Sequence, residues 1–311
     1  MSRKILVTGS SSGLGLATTD LLLSQGYEVL GVDINNREIS NENYTHLVMD
    51  LTKVDIGLLR KHVSDGNWFG FVHCAGTSKG SVIGDLMEED WDYSMELNLN
   101  SAMKISKLAD ELMIDGGRIL FVSSPVAIAG ARKPSYSASK AASDHFVKAW
   151  FKTYNLPTIV SNCSNNYGPR QFPEKLIPLT LQKIITNKAI PIYGDGSNVR
   201  DWLFVDDHIR AILLVIKKGV LGSSYNIGGD SEITNRELVV KICNILDKKL
   251  PSKNKYSNQI KFVSDRPGHD YRYAVNSEKL KTELGWAPEI DLQRGLDFTI
   301  DWYLQNKDWF N

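Results

Sequence analysis

Tyr136 and Lys140 are the residues of this chain whose types and spacing point most directly to chemistry. They stand one helical turn apart in the run Pro134-Ser-Tyr-Ser-Ala-Ser-Lys140, so both side chains leave the same face of a predicted helix. A tyrosine ordinarily titrates near pH ~10 and is not a base at neutral pH. A lysine ammonium one turn away favours the phenolate and lowers that pKa. The pair is therefore predicted to move a proton on or off an alcohol or ketone oxygen.

A glycine-rich turn at residues 9–15 lies between a strand-like run and the helical pattern that begins at Leu16. Glycines allow a close backbone approach, and the free N–H groups of a helix N-terminus bind a diphosphate. The next strand ends in Asp33, an acid that accepts hydrogen bonds from ribose hydroxyls and repels a 2′-phosphate. The sequence therefore predicts a dinucleotide site that prefers NAD to NADP.

Strand and helix patterns alternate along the first 166 residues and then change character. The alternation predicts an α/β fold, a Rossmann-type doubly wound parallel sheet, over residues 1–166. Prolines and glycines punctuate residues 167–311, which predicts a smaller α/β substrate-binding domain with some segments, such as 223–228, returning to the sheet. Strand-like runs occur near 4–8, 28–33, 45–49, 69–74, 118–123 and 157–163, and helical patterns at 90–113 and 135–154.

The composition narrows the classes of partner and compartment. The chain has 311 residues with 36 basic and 36 acidic side chains, so its zero net charge gives no support for nucleic acid or an anionic membrane as partner. Cys74, Cys163 and Cys243 are scattered singly, which favours buried small side chains over disulfides or a metal site. The chain enters its first strand without room for a signal peptide, and the longest apolar run is too short to span a bilayer. These features predict a cytoplasmic protein without a metal.

Together the motifs resemble the short-chain dehydrogenase/reductase superfamily. The resemblance implies that Tyr136 and Lys140 are the catalytic acid/base pair and that Ser124 holds the reacting oxygen. Ser123 is the alternative, because the loop length is ambiguous by one residue. Asn98 matches an asparagine that supports a proton relay in compact members. The implied cofactor contacts are Gly9, Ser12, Gly13, Leu14, Gly15, Asp33, Asp50, Leu51, Ala75 and Gly76, together with Tyr136 and Lys140.

The C-terminal half resembles the nucleotide-sugar branch of that superfamily, and the dTDP-glucose 4,6-dehydratases in particular. The matching runs include Asn162-Cys-Ser-Asn-Asn-Tyr-Gly-Pro169, Arg200-Asp-Trp-Leu203 and Asp265-Arg-Pro-Gly-His-Asp270. Arg200 and Arg266 could clamp a diphosphate with forked donors, or could simply pair with Asp201 and Asp265. The resemblance implies a dTDP- or UDP-linked sugar substrate held by Asn165, Glu174, Lys175, Leu176, Pro191, Tyr193, Arg200, Asn235 and Arg266.

The dehydratase pattern breaks directly after Ser124. Dehydratases of this family read Thr-Asp-Glu there, with the two acids moving the protons of the elimination, whereas this chain has Pro125 and Val126. Neither of those side chains can donate or accept a proton. The first ~130 residues also resemble compact keto-reductases, within the usual error of such boundaries. We therefore predict an NAD-dependent oxidoreductase acting at sugar carbon 4, either an epimerase or a 4-keto-reductase.

Other readings stay open at this point. One is a dTDP-glucose 4,6-dehydratase with displaced acids, another is a non-catalytic protein that binds NAD or a nucleotide sugar, and a third is a reductase of a small ketone. The helices at 90–113 and 135–154 correspond to those that form a homodimer interface in the family. Met95, Met103, Phe146 and Trp150 would then face a partner, or would pack on the sheet instead.

Overall fold

The structure is a computed structural model that describes residues 3–63, 68–79, 83–130 and 133–310. The chain forms two compact units. The first unit comprises Met1–Asn162, Ile209–Asn226 and Ser277–Trp286, and the second comprises Cys163–His208, Ile227–Asn276 and Ala287–Asn311.

The strands are β1 (Lys4–Thr8), β2 (Glu28–Asp33), β3 (Tyr44–Val48), β4 (Trp68–His73), β5 (Met113–Ser123), β6 (Thr158–Cys163), β7 (Asn165–Tyr167), β8 (Ile190–Tyr193), β9 (Val199–Phe204), β10 (Ser224–Ile227), β11 (Glu232–Thr234), β12 (Ile260–Val263) and β13 (Arg272–Tyr273). The helices are α1 (Gly13–Ser24), α2 (Ile56–Val63), α3 (Glu88–Met95), α4 (Ser101–Leu112), α5 (Val126–Ala129), α6 (Pro134–Tyr154), α7 (Leu176–Ile185), α8 (Val205–Lys218), α9 (Asn235–Lys249), α10 (Glu278–Leu284) and α11 (Leu292–Gln305).

A seven-stranded sheet forms the centre of the first unit, in the order β10-β6-β5-β4-β1-β2-β3. In this order, each neighbouring pair from β6 through β5, β4, β1 and β2 to β3 is parallel. Ile5, Leu6 and Val7 of β1 are fully buried, as expected for a parallel strand that helices cover on both faces. The predicted doubly wound α/β sheet is confirmed. Because the strands run in parallel, the loops after β1, β2, β3 and β4 meet at one edge of the sheet.

Helix α6 carries an unusually polar buried face. It begins with Pro134 in its first turn, where the missing N–H costs no hydrogen bond, and ends at Asn155 in the left-handed conformation with φ 59°. Its buried residues are mostly polar or charged, which is uncommon for a helix packed on a sheet and indicates a functional face. They are Ser135, Ser139, Lys140, Ser143, Asp144 and Val147.

The helix predicted over residues 90–113 is interrupted. A π-helical turn at Glu96–Asn100 separates α3 from α4, and it directs the side chain of Asn98 into the interior, where it is fully buried. Such turns insert an extra residue into a helix and are frequent at functional sites. The helical stretch predicted at 90–113 is present, but the apolar periodicity of the sequence does not reveal the π-helical insertion within it.

The second unit is built on smaller sheets. Strands β11, β9 and β13 are adjacent, β7 also pairs with β9, and β12 pairs with β8. Helix α9 begins with a capping box in which Thr234 and Glu237 satisfy each other's backbone N–H groups, as the sequence predicts. The apolar core of this unit includes Tyr167, Ile177, Trp202, Phe204, Ile242, Leu296, Ile300 and Tyr303.

Within the described ranges, none of the helices has both the length and the apolar character needed to cross a membrane. None of the three cysteines, all of which the structure describes, forms a disulfide bond. No cluster of three or more His, Cys, Asp or Glu side chains suited to a metal ion occurs in the part of the chain that the structure describes.

Candidate active site

A cavity of about 420 Å³ opens at the edge of the first unit's sheet where the parallel strands end. Its wall contains every predicted cofactor residue except Tyr136 and Lys140. Those lining residues are Gly9, Ser12, Gly13, Leu14, Gly15, Asp33, Asp50, Leu51, Ala75 and Gly76.

The glycine turn brings backbone segments closer together than side chains would allow. Gly9 has a φ of +69°, and a Cβ added to it would lie 3.0 Å from the backbone nitrogen of Ala75. A Cβ at Gly15 would lie 2.1 Å from the carbonyl oxygen of Gly9. The turn therefore has no side chains at Gly9 and Gly15, and its backbone is accessible beside the N-terminus of α1. The free N–H groups of that helix end favour an anion. These residues fit a dinucleotide diphosphate.

Asp33 closes the same cavity from the end of β2. Its carboxylate accepts hydrogen bonds from the backbone N–H of Ser11 at 3.0 Å and of Asn35 at 2.9 Å. Each carboxylate oxygen keeps further acceptor positions, so Asp33 can still receive hydrogen bonds from ribose hydroxyls. Asp33 therefore both fixes the turn and presents a negative charge to the cavity.

Replacing Asp33 with asparagine should change the choice between dinucleotides. We expect the ratio of the NADPH to the NADH dissociation constant to fall by about 10-fold or more, because a charged hydrogen bond contributes roughly 1.5–3 kcal/mol. Calorimetric titration with both cofactors measures this ratio. Asp50→Asn is the matched control in the same cavity and should alter both affinities by a similar factor. An unchanged ratio in Asp33→Asn would show that the charge of Asp33 does not select the cofactor.

Lys140 lies next to Gly76, one of the residues that line this cavity. It is 7% exposed, and its Nζ donates a 3.0 Å hydrogen bond to the carbonyl oxygen of Val122. A Cβ added to Gly76 would lie 3.3 Å from Lys140 Nζ and 3.2 Å from Asn98 Oδ1. Three predicted site residues therefore meet at one point, and half-buried Tyr136 follows one turn nearer the start of α6.

The two candidate serines have different surroundings. Ser123 is the last residue of β5; its Oγ lies near the carboxyl group of Asp144 but has no partner with hydrogen-bond geometry among the described residues. Ser124 follows the strand, and its carbonyl oxygen accepts the backbone N–H of Ala127 at the start of α5. Both serines are at most 9% exposed.

Asn98 fastens the loop that follows β4. Its Oδ1 accepts the backbone N–H of Thr77 at 2.8 Å, and its Nδ2 donates to Thr77 O at 3.0 Å and to Ser139 Oγ at 2.9 Å. Lys133 Nζ donates to the carbonyl oxygen of Ser78 at 2.6 Å, which ties the same loop to the start of α6. Both N–H groups of the Asn98 side-chain amide therefore donate hydrogen bonds within the protein. Only Oδ1 keeps a further position, as an acceptor.

Sequence reasoning missed His73, a buried neighbour of Lys140. Burial lowers the pKa of His73 to about 3, and the charge of Lys140 adds to the effect, so the imidazole is neutral at physiological pH. Its Nδ1 lies 3.0 Å from Thr8 Oγ1. The sequence signal was available, because cavity residues follow strand ends in such sheets. His73 itself does not line the cavity; the lining residues that were missed are Ile34, Asn35, Met49, Cys74, Thr77, Tyr93 and Leu97.

In the second unit, Arg200 and Arg266 lie close enough to repel each other. Burial lowers the pKa of Arg200, Asp270 opposes that shift, and Arg266 adds to it. Arg200 does not depend on Asp201, because its guanidinium donates to the carbonyl oxygens of Val199 at 2.6 Å and Asp270 at 2.9 Å. The Asp265 carboxylate acts on both cations, and the forked donors of two neighbouring arginines fit an anionic ligand.

Arg266 also stands over an aromatic ring. Its guanidinium carbon is 5.5 Å from the ring centroid of Tyr193, and its backbone N–H donates to Asp265 Oδ1 at 2.8 Å. The Asp265 carboxylate is further bound by His269 Nδ1 at 2.7 Å. The hydrogen bond with His269 holds the pKa of Asp265 below its usual range and the charge of Arg266 contributes, so the predicted electrostatic pairing of Arg266 with Asp265 stays open beside the ring contact.

The other predicted substrate residues lie in the same unit. Asn165 Nδ2 and Asn235 Oδ1 are buried without hydrogen-bond partners among the described residues, which leaves both able to bind a ligand. Glu174 and Lys175 form a 2.9 Å ion pair in the exposed segment before α7. Leu176 packs against the unit's apolar core. Pro191 lies on β8 with Tyr193.

Asp201 supports this unit from inside rather than binding Arg200. Its buried carboxylate accepts the hydroxyl of Ser164 and the backbone N–H groups of Gly229 at 2.9 Å and Ser231 at 2.8 Å. These bonds hold the turn between β10 and β11 against β9.

Asp201→Ala should therefore destabilise the protein strongly. We expect the free energy of unfolding to fall by about 3 kcal/mol, since three buried donors lose their acceptor. Urea unfolding followed by circular dichroism measures the change. Asp308→Ala, at an exposed carboxylate of the same unit, is the control and should change the free energy by no more than about 0.5 kcal/mol. Equal stabilities of the two variants would show that the Asp201 bonds contribute little.

Two family models match overlapping parts of the chain. The short chain dehydrogenase model matches residues 3–165, and the GDP-mannose 4,6 dehydratase model matches residues 130–299. The overlap, residues 130–165, contains Tyr136 and Lys140. Both predicted resemblances are confirmed: the N-terminal part of the chain matches a dehydrogenase family, and the C-terminal part matches a nucleotide-sugar dehydratase family.

The curated relatives are dehydratases. The dTDP-glucose 4,6-dehydratase of Escherichia coli is 54% identical over 174 residues, covering 56% of this chain and 48% of the relative. That of Neisseria gonorrhoeae is 56% identical over 176 residues, covering 55% of this chain and 51% of the relative. The chain thus spans about half the length of the curated relatives it matches.

A solved structure extends the similarity to the whole chain. The dTDP-glucose 4,6-dehydratase of Bacillus anthracis in complex with NAD superposes with a TM-score of 0.83 and 33% identity, covering 99% of both chains. These relatives contradict the predicted epimerase or 4-keto-reductase activity, which was wrong, and they favour the dehydratase alternative.

Proposed function

The chain belongs to the short-chain dehydrogenase/reductase superfamily, in its NAD-dependent epimerase/dehydratase branch, and from that premise we propose that it is a 4,6-dehydratase of a dTDP-hexose. The net reaction would oxidise carbon 4 of dTDP-glucose, reduce carbon 6 and release one water. The observation that carries the proposal is the combination of the Tyr136–Lys140 pair with a stretch of 174–176 residues that is over half identical to dTDP-glucose 4,6-dehydratases.

The cofactor is NAD, and the residues of the cavity fit it. The bare glycine turn and the N-terminus of α1 would receive the diphosphate, and Asp33 would receive the ribose hydroxyls. When bound, NAD supplies the acceptor for the hydride of carbon 4 and its later donor.

Tyr136 would take the proton from the carbon 4 hydroxyl as a general base. Lys140, held by Val122, would keep the phenolate accessible near neutral pH. Ser124 would hold the sugar oxygen, and we prefer it to Ser123 because Ser123 Oγ lies beside Asp144. Asn98 would act through the loop it fastens and through its remaining acceptor position.

In the second unit, Arg200 and Arg266 would bind the diphosphate, and Tyr193 with Pro191 would flank the base. Asn165 and Asn235 would supply the buried polar atoms that lack partners. Charge-assisted, forked hydrogen bonds make arginine well suited to this role. The dTDP-linked substrate follows from the relatives' names and comes to this chain as part of the proposal.

Pro125 and Val126 bear on the elimination step alone. Neither side chain can move a proton, and both positions precede residue 130, where the dehydratase family match begins. Oxidation at carbon 4 has its full set of residues, whereas the loss of water from carbons 5 and 6 lacks acids at these positions. We infer that elimination is the slow step.

The test is to incubate the protein with NAD and dTDP-glucose and to determine the product by mass spectrometry. We expect a 4-keto-6-deoxy product that has lost one water. A completed reaction that holds only NADH and a sugar nucleotide that keeps its water, or only unchanged substrate, would contradict the proposal. Tyr136→Phe is the control for conversion by a contaminating enzyme.

Assembly as a homodimer stays a prediction. Phe146 and Trp150 pack against the core of the first unit, and their ring centroids are 4.0 Å apart. Met103 is 36% exposed on α4. Sedimentation of the purified protein would measure the oligomeric state.

A further inference from the structure

Asp144 is a buried acid on α6 that the proposed chemistry does not use. It is 5% exposed. Tyr136, Lys140 and Asp144 follow one another at intervals of one helical turn, so their side chains lie along one face of α6. Lys140 is therefore placed between the tyrosine that moves the proton and a carboxyl group deeper in the fold.

The neighbours of Asp144 on the sheet are polar but uncharged. Ser123 Oγ lies near the carboxyl group from the end of β5. Asn162 is the register partner of Ser123 on β6, so its side chain projects from the same face of the sheet. Ser123 Oγ, Asp144 Oδ1 and Asn162 Oδ1 all lack hydrogen-bond partners among the described residues.

That set of atoms suits a carboxyl group that can hold a proton. An ionised Asp144 and Asn162 Oδ1 are both acceptors, and Ser123 Oγ is the one donor among these three unpartnered atoms. A protonated Asp144 supplies a second donor and relieves the shortage. The cluster therefore opposes, without preventing, a negative charge on Asp144.

The charged and titratable groups that act on Asp144 are Lys140, His145 and Lys148, all on α6. Ser123 and Asn162 add no charge from the sheet. Burial raises the pKa of Asp144, and the Ser123 hydroxyl and then Lys140 oppose that shift.

We propose that Asp144 is a positioning residue whose carboxyl group, one helical turn below Lys140, sets how strongly the lysine ammonium acts on Tyr136. A negative charge on Asp144 offsets the ammonium, and so makes the phenolate of Tyr136 harder to form. The two acids are therefore coupled, each ionising less readily when the other has done so. The catalytic meaning of this coupling rests on the proposed function, but the coupling itself does not.

The titration of Tyr136 can be measured without turnover. The ultraviolet absorbance of the protein minus that of its Tyr136→Phe counterpart follows this one phenol as pH rises, in the wild-type and the Asp144→Asn backgrounds. We expect the midpoint to move to lower pH by about 0.5–1 unit in Asp144→Asn, because a charge that opposes the phenolate has been removed. An unchanged midpoint would overturn the proposal, whether or not dTDP-glucose is a substrate.

Thermal unfolding supplies a second readout with a definite sign. A carboxyl group whose pKa is raised on folding contributes stability that is fully present below its unfolded pKa, near ~4, and that is lost as pH rises through its folded pKa. Asparagine does not titrate, so the melting temperature of Asp144→Asn relative to wild type should rise between about pH 4 and pH 8. Parallel curves would show that Asp144 ionises normally and would overturn the proposal.

Two further variants complete the design. Asp110→Asn removes an exposed carboxylate from α4. It should leave the Tyr136 midpoint unchanged. Its melting temperature relative to wild type should not vary with pH. Asp144→Ser is a second neutral replacement, to be used in the same measurements if the asparagine variant does not fold. It should lower the Tyr136 midpoint in the same direction.

Discussion

Tyr136→Phe is expected to reduce the rate of oxidation at carbon 4 by about 10²–10⁴-fold, the usual contribution of a general base. In the proposed mechanism the phenolate of Tyr136 receives the hydroxyl proton, and phenylalanine keeps the ring without the oxygen. NADH binding should be unchanged, because the glycine turn, Asp33 and Lys140 remain in place. Stopped-flow measurement of NADH formation with dTDP-glucose separates this step from later ones.

Tyr154→Phe is the matched control for that variant. Tyr154 ends the same helix, but it is 72% exposed and distant in sequence from the cavity residues. It should retain the wild-type rate. Oxidation at the wild-type rate in Tyr136→Phe would remove Tyr136 from the mechanism and would leave the Lys140 site as a binding site only.

Installing the two missing acids should have the second largest effect. In the double variant Pro125→Asp with Val126→Glu, we expect the loss of water from the oxidised sugar to accelerate by about 10²-fold or more, because general acid and base groups would then flank carbons 5 and 6. The backbone should accept the change, since Pro125 has an ordinary φ of −55° at the start of α5. Appearance of the 4-keto-6-deoxy product under saturating substrate measures the rate.

Pro125→Ala with Val126→Ala is the control, because it makes the same backbone change without adding acids. It should leave the elimination rate within about 2-fold of wild type, as expected for a step that uses neither side chain. If the acidic variant shows no gain over this control, the elimination already uses acids from elsewhere in the chain, and our inference that this step is slow fails.

The cofactor cavity could be predicted from the sequence because its signals are local. A strand, a glycine turn and a helix N-terminus occupy neighbouring positions, and Asp33 is fixed by the end of the next strand. Strand ends of a parallel sheet meet at one edge, so the residues that follow each strand share one cavity. The same rule would also have found Asn35 and Thr77.

The features that were missed depend on distant contacts. The π-helical turn at Glu96–Asn100 leaves the apolar periodicity intact, and the partners of Asp201 lie about thirty residues away along the chain. Arg200 is held by the carbonyl oxygen of Asp270 rather than by its neighbour Asp201. No local pattern records which of these alternatives a folded chain adopts.

The wrong choice of activity has a different cause. The prediction of an epimerase or 4-keto-reductase was argued from two positions, Pro125 and Val126, at which the dehydratases carry acids and this chain does not. Two positions report on a single step of a reaction. The dehydratase family match extends over residues 130–299, and the dehydratase relatives are 53–56% identical to this chain over 174–176 residues, so many more positions report on the activity.

In the loop after β4, residues 77–79 are held by the protein's own side chains from three helical segments. Asn98 binds Thr77, Lys133 binds the carbonyl oxygen of Ser78, and Ser94 and Ser135 donate to the carbonyl oxygen of Lys79. The conformational entropy of this loop is therefore lost when the chain folds. Little ordering entropy remains to be lost when NAD enters, so more of the contact energy along this wall is available as affinity.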